Sequence, residues 1–428
     1  MSWPKAPLRR IFRVVNGGTP TSSAAFWDGD VPWATPVDIG SVDGEYLGTT
    51  QRYLTEDGVL AGSRAVPEGS LVLSTRAPIG YVAQVSTRMA FNQGCRGLVA
   101  TSPVDIRYFR YQIVSLREEL VSRGAGSTFM ELSSDGLASV PLSIPPIDEQ
   151  RRIADFLDAE TLRIDAMVCA RRKQVDKLNE RYSSAISELV TPGISIVVSG
   201  SRRWPWLPAH LRTTRLGHFA VVQSGVTVHG ARERTTDDAE FPYLRVANVQ
   251  DGQIDVSDIK TIVIPRSMAR GSMLKPGDVL MTEANGNPDN LGRGAVWNGG
   301  LVNMVHQNHV FAIRLDQSAI FPEYLSALLA SQHGRRYFRF TSTQVGIATT
   351  SSAKVRDFPV PVTTLAEQRV AVKEYERLRD TSRRLMDVLD CQLTYLAERR
   401  QALITAAVTG QIDVTTARRF TPSESVSA

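Results

Sequence analysis

The residues that could do chemistry in this chain are few, and they do not assemble. His306-x-x-His309 is the one close histidine pair, and it lacks the Glu of a metalloprotease HExxH motif, so it reads as two core or loop histidines flanking a strand. Cys95, Cys169 and Cys391 are isolated, with no CxxC and no neighbouring histidine, which gives neither a zinc nor a disulfide framework and suits a reducing compartment. There is no GxxxxGK[ST] phosphate loop, no GxGxxG after a strand, and no Asp-Pro-Pro-Tyr or Asn-Pro-Pro-Tyr of the kind that holds an extruded base. Gly286-Asn287-Pro288-Asp289 is a turn. No nucleophile, base and oxyanion donor come together, so the chain is expected to be non-catalytic by itself, with no cofactor and no metal of its own.

Composition bounds the class without choosing the function. The 428 residues carry a net charge of +5, 42% hydrophobic and 22% charged residues, those of an ordinary protein with two or three domains. Mild basicity is compatible with a polyanionic partner but does not identify one. No run approaches ~18 apolar residues and the start, MSWPKAPLRR, has no apolar stretch behind it, so the expected location is the cytoplasm.

The elements that must position any site are written twice. At an offset of 218, residues 140–191 align without a gap onto 358–409: Glu149-Gln150-Arg151 meets Glu367-Gln368-Arg369, Arg181 meets Arg399, and Val190-Thr191 meets Val408-Thr409. Upstream, VNGGTP (15–20) is echoed by VQSGVT (222–227), PEGSLVLS (67–74) by KPGDVLMT (275–282), and Asn92-Gln93 by His306-Gln307. Small changes in offset mean that loops differ in length while the frame is kept.

Each copy opens with about 150 residues of short apolar runs punctuated by Gly, Pro and Asn, the pattern of strands and turns with a few helices. Each closes with a segment free of Gly and Pro, 148–190 and 366–410 less its final glycine, for which Asp148 or Thr364 is the expected N-cap. Leu157, Ile164, Val168, Val175 and Leu178 in the first, and Met386, Leu389, Leu393 and Leu396 in the second, belong to stripes with steps of three and four, a coiled-coil seam. The expected architecture is α+β: two mixed globular domains, 1–147 and 208–365, in pseudo-twofold repeat, two long antiparallel helices, a linker at 191–207 and a polar tail at 411–428.

Gly17-Gly18-Thr19-Pro20, then Trp33-Ala34-Thr35-Pro36-Val37-Asp38, then Pro145-Pro146-Ile147-Asp148-Glu149-Gln150-Arg151, in duplicated order, resemble the specificity subunit of type I restriction–modification enzymes over roughly residues 8–413. The second copy departs from the pattern: Tyr243-Leu-Arg245-Val-Ala-Asn248 replaces Trp-x-Thr-Pro, and Thr363-Thr364 replaces the double proline. The resemblance implies two target recognition domains, each reading one half of a bipartite, asymmetric site in double-stranded DNA. It further implies helices that act as spacer and as docking surface for two methyltransferase subunits, through which restriction subunits join. S-adenosylmethionine, ATP and Mg would then sit on those partners.

Under that resemblance, loops rich in Arg, Asn, Gln, Ser and Thr are the candidates for base contact. In the first domain these are Thr75, Arg76 and Tyr81 of STRAPIGYV, Asn92 and Gln93, and Ser127 and Thr128. In the second they are Arg245 and Asn248; Glu283, Asn285 and Asn287 of TEANGNPDNLGR; His306 and Gln307; and Ser342, Thr343 and Gln344. Arg9, Arg10, Arg13, Arg202, Arg203, Arg335, Arg336 and Arg339 are candidates for phosphate contact, and Tyr108 and Phe109 are expected in the core. Two other classes stay open: a DNA-reading subunit of another defence complex, and a coiled-coil adaptor that reads no DNA.

Overall fold

The computed structural model describes residues 3–126, 130–196, 200, 203–228, 236–345 and 347–414. The chain divides into two compact units, residues 1–171 with 391–428, and residues 172–390. Among the described residues no helix is long and apolar enough to cross a membrane.

Unit 1 is built on a five-stranded sheet in the order Phe12–Asn16, Cys95–Ala100, Leu71–Ser74, Val82–Val85, Tyr46–Leu47, antiparallel except for the last pair. Leu71–Ser74 is buried at all four positions, as a central strand covered on both faces must be. A second sheet joins Tyr53–Leu54, Trp27–Ala34, Met89–Phe91 and Ala65–Val66. Unit 2 repeats the plan: Ala220–Ser224, Val310–Leu315, Val279–Thr282 and Gly294–Val296 form one sheet, and Lys260–Pro265, Asp238–Leu244 and Val305–His306 another. Register is repeated as well, since Cys95 faces Ser74 as Val310 faces Thr282.

The two long helices run over Ile147–Val190 and Leu365–Val408. Thr364 caps the second reciprocally, its hydroxyl 3.3 Å from the Glu367 N–H while the Glu367 carboxylate accepts the Thr364 N–H at 2.7 Å. Asp148 does not cap the first. That helix already begins at Ile147, with the Glu149 N–H on the Pro146 carbonyl, so Asp148 lies inside the first turn and only its charge suits the helix dipole.

Each unit buries segments of both helices. In unit 1, Ile153, Ala154 and Leu157 share a core with Ile404, Ala407 and Val408, while Asp165 meets Arg400 further along; the segments are therefore antiparallel. In unit 2, Ile186 and Val190 share a core with Ala371 and Tyr375. Along the seam Leu157 and Ile164 are buried, and Val168, Val175, Leu178, Met386, Leu389, Leu393 and Leu396 are half-buried.

The repeated Glu-Gln-Arg has a structural meaning that the sequence alone did not disclose. Gln150 is buried; its Oε1 accepts the Asp105 N–H at 3.0 Å and its Nε2 donates to the Pro145 carbonyl at 2.9 Å. Gln368 does the same, accepting the Phe321 N–H at 3.0 Å and donating to Ala319 at 3.0 Å. Asp105 and Phe321 are the N-cap residues of equivalent helices, Ile106–Ser115 and Pro322–Ala330. Each glutamine thus occupies one of the backbone donors that a helix start leaves without an intrahelical partner. From the same two helices Tyr108 and Tyr324 reach the carbonyls of Val408 and Val190, at 3.3 and 3.4 Å. Each unit therefore holds the beginning of one long helix and the end of the other.

Candidate nucleic-acid interface

In unit 1 a tight turn connects Leu71–Ser74 to Val82–Val85. The Ser74 hydroxyl closes it, donating to the Pro78 carbonyl at 2.7 Å and accepting the Tyr81 N–H at 2.9 Å. The Thr75 and Arg76 N–H groups both reach the Gly94 carbonyl, at 2.8 and 3.3 Å, and the Gly94 N–H donates to Asn92 Oδ1 at 2.9 Å. Residues 75–76 and 92–94 are thereby held side by side. Gly17 packs so closely on this loop that a Cβ there would lie 2.0 Å from the Asn92 carbonyl oxygen, and the Thr19 hydroxyl donates to Gln93 Oε1. Arg76 and Arg96 share Glu131, at 3.0 and 3.3 Å. The structure thus gathers Thr19, Arg76, Gln93, Arg96 and Glu131 on one face.

Unit 2 repeats this backbone with different side chains. The Glu283 N–H reaches the His309 carbonyl as Thr75 reaches Gly94, and the Glu283 carbonyl accepts from Thr350 as Thr75 accepts from Leu132. Glu283 Oε2 lies 3.2 Å from His309 Nδ1. Two successive side-chain turns shape the loop beyond: Asn285 Oδ1 accepts the Asn287 N–H, and Asn287 Oδ1 accepts the Asp289 N–H, each at 3.0 Å. Ala284–Asn285, Ile347–Thr349 and Thr343–Val345 add a small sheet; at its outer strand Thr343 Oγ1 accepts from Lys354 at 3.3 Å. Gln344 is described only through its backbone in that strand, and the Ser342 hydroxyl donates to the Arg339 carbonyl.

Several candidates prove to be frame rather than surface. Thr75 is fully buried and its hydroxyl donates to the Gly94 carbonyl at 3.1 Å. His306 is fully buried with Nδ1 2.6 Å from the Val310 carbonyl, and burial pushes its pKa below the ordinary histidine value. Asn248 is buried, accepting the Arg245 N–H and donating to the Asp255 and Asp258 carbonyls, while the Arg245 guanidinium lies 2.7 Å from the Asp258 carboxylate. Asp38 does this work in unit 1, accepting from Thr35 and from the Gln51 N–H. Tyr81 is half-buried beneath Arg117, Asn92 is committed to Gly94, and Gln307 is half-buried. Arg76, Gln93, Asn287 and Thr343 keep substantial exposure, and Glu283 and Asn285 are half-buried. Ser127, Thr128 and Arg202 lie outside the described residues. Among the phosphate candidates Arg335 is committed to Asp251 and Arg339 to Asp289, whereas Arg9, Arg10 and Arg13 are exposed. Tyr108 and Phe109 are fully buried.

Residues 2–175 match the family described as the type I restriction modification DNA specificity domain. The chain is 29% identical over 258 residues to the MjaIX specificity subunit of Methanocaldococcus jannaschii, a match covering 58% of this chain and 59% of that protein. It is 20% identical over 425 residues to the StySPI specificity subunit of Salmonella potsdam, covering 96% and 89%. A solved structure from work on complex assembly and conformational transition of the type I restriction–modification system shares the fold, with a TM-score of 0.68 over 96% of this chain and 98% of that one, at 15% identity. These likenesses agree with the reading of the duplicated motifs. Residues 2–175 thus match the specificity-domain family, and the chain as a whole is similar to the specificity subunits of type I restriction–modification systems.

Proposed function

We propose that this chain reads a bipartite, asymmetric target in double-stranded DNA, one half-site per unit, and docks two methyltransferase subunits, through which restriction subunits join. It is non-catalytic in this reading: it fixes which adenines its partners extrude and methylate, and S-adenosylmethionine, ATP and Mg belong to those partners. The observation that carries the proposal is one backbone frame written twice with different side chains at matched places, Thr75 against Glu283 and Gly94 against His309. Identical loops would read a palindrome, as the two halves of a dimeric reader do; unlike loops read unlike half-sites. Arg76, Gln93, Asn287 and Thr343 are the candidate side chains best exposed to meet base edges, with the half-buried Glu283 and Asn285 beside them and Arg9, Arg10 and Arg13 available to phosphates.

The test is to exchange residues 8–140 for those of another specificity subunit and to map methylated adenines by long-read sequencing in cells carrying the complete system. One half-site should change and the other persist; change in both, or in neither, would count against the proposal. Lengthening both long helices by whole turns, with the seam kept in phase, should alter the gap between half-sites and leave their sequences alone.

A further inference from the structure

Because the frame is duplicated, each unit serves as a control for the other, and the residue after one shared turn is ion-paired in unit 1 but lines a recess in unit 2. In unit 1 the turn Asp43-Gly44 has Gly44 at φ 82°, its N–H on the Val82 carbonyl at 2.7 Å, and Asp43 paired with Arg117. Unit 2 repeats it as Asp251-Gly252, with Gly252 at φ 65°, its N–H on the Gly294 carbonyl at 2.9 Å, and Asp251 paired with Arg335.

The next residue differs: Glu45 in one, Gln253 in the other. Glu45 receives Arg400 of the second long helix at 3.0 Å, and Arg400 also lies 3.6 Å from Asp165, so one guanidinium is held between two carboxylates. Gln253 instead lines a recess of about 400 Å³. Ile254, Val256 and Leu301 form apolar wall, and Arg379 and Arg383 enter from the second long helix. The lining contains two guanidinium groups and no carboxylate. Arg379 has Asp380 of its own helix at 3.2 Å, and the neighbouring Asp251 is committed to Arg293 and Arg335. Like charges four residues apart on a helix repel, more strongly where protein displaces water. Within the recess lining, no carboxylate meets Arg383.

We propose that this recess is a carboxylate-binding site, taking a small aliphatic dicarboxylate of the glutarate class. One carboxylate would sit between Arg379 and Arg383, with Arg383 able to offer parallel N–H donors and Arg379 its Nη1, since its Nε and Nη2 meet Asp380, and the methylene stem would lie along Ile254, Val256 and Leu301. The volume falls within the range of about 300–1,000 Å³ common to small-molecule sites. Unit 1 gives a partial parallel for carboxylate over phosphate: at the position of Gln253 the Glu45 carboxylate meets a guanidinium, that of Arg400, whose place in the repeat is taken by Tyr182 in unit 2.

Thermal unfolding and titration calorimetry of the full chain with glutarate, against phosphate and chloride at matched ionic strength, test the site. Glutarate should bind and raise the melting temperature beyond the other anions, and Arg383→Ala should weaken that binding by at least about tenfold. Gln253→Glu, which installs the internal carboxylate of unit 1, should raise the melting temperature at low salt without ligand and remove the glutarate response. An equal response to all three anions, an adventitious ion effect only, overturns the proposal. So does a full glutarate response in Gln253→Glu, a readout that stands even where Arg383→Ala fails to fold.

Discussion

Unit 1 and unit 2 each hold the beginning of one long helix and the end of the other by the same two side-chain types, a glutamine and a tyrosine, and surround those holds with unlike chemistry. In unit 1 the helix Ile106–Ser115 meets the first long helix through charge: Arg107 contacts Asp155 and Asp158, Arg110 contacts Asp158, and Tyr111 donates to Asp158 at 2.7 Å. In unit 2 the matching helix, PEYLSALLA, buries Tyr324, Leu325, Leu328 and Leu329 instead. The difference separates what is fixed from what can drift. A part-buried backbone N–H needs an acceptor at one place and direction, so Gln150 and Gln368 recur. The surrounding contact needs only to fill space or balance charge, and ionic and apolar solutions both do so.

The largest expected effect comes from removing shared core. Leu157→Ala, at a fully buried position in the core that both long-helix segments of unit 1 share, should cost about 2–5 kcal/mol in denaturant unfolding. If the units unfold separately, only the transition of unit 1 should move. Next come the glutamines. Gln150→Leu and Gln368→Leu each strand a part-buried N–H, and each should cost about 1–3 kcal/mol, alike in the two units. A large loss for one and none for the other would break the equivalence of the two holds.

The readers themselves should show smaller and one-sided effects. Arg76→Ala should relax discrimination at one base pair of one half-site by about 1–3 kcal/mol, seen as new methylated sequences in that half alone. Relaxation in both halves would mean that the two loops do not read separately.

The most gradual effect is in pH. All six histidines fall between residues 210 and 333, within unit 2. His333 is fully buried, with Nε2 2.7 Å from the Pro359 carbonyl and Nδ1 accepting the Trp206 indole N–H at 3.1 Å; burial lowers its pKa to about 4. Its unfolded form takes up a proton near pH 6.5 and its folded form only near 4, so unit 2 should lose stability as pH falls through that window and be unaffected by this group above it. The slope is at most about 1.4 kcal/mol per pH unit. His333→Gln should flatten it, as read by urea unfolding at pH 4.5 and 7.

The frame was legible in the sequence because it is repeated there. The offset of 218, the three-and-four stripes and the absence of Gly and Pro fix both long helices to within a residue or two. The role of Gln150 was not legible, since its partner Asp105 lies 45 positions away and a lone glutamine carries no local signal. Thr75, Asn248 and His306 misled for the opposite reason. Polar types beside turn-forming residues suggest an exposed loop, yet each turns inward to satisfy a backbone group. Thr75 carried a warning, because it continues the fully buried run Leu71–Ser74. Arg76 and Gln93 were legible as loop side chains, but the Glu131 that orients Arg76 is 55 positions distant.

The tie between Tyr108 and Val408 spans 300 positions, whereas every residue of unit 2 belongs to one uninterrupted stretch. During synthesis the module made first must therefore wait for the ribosome to deliver Ile404, Ala407 and Val408 before its interior can close, while the module made second has all its parts beforehand. Order of manufacture and order of completion are reversed, and the nascent first module is the one that needs protection from aggregation.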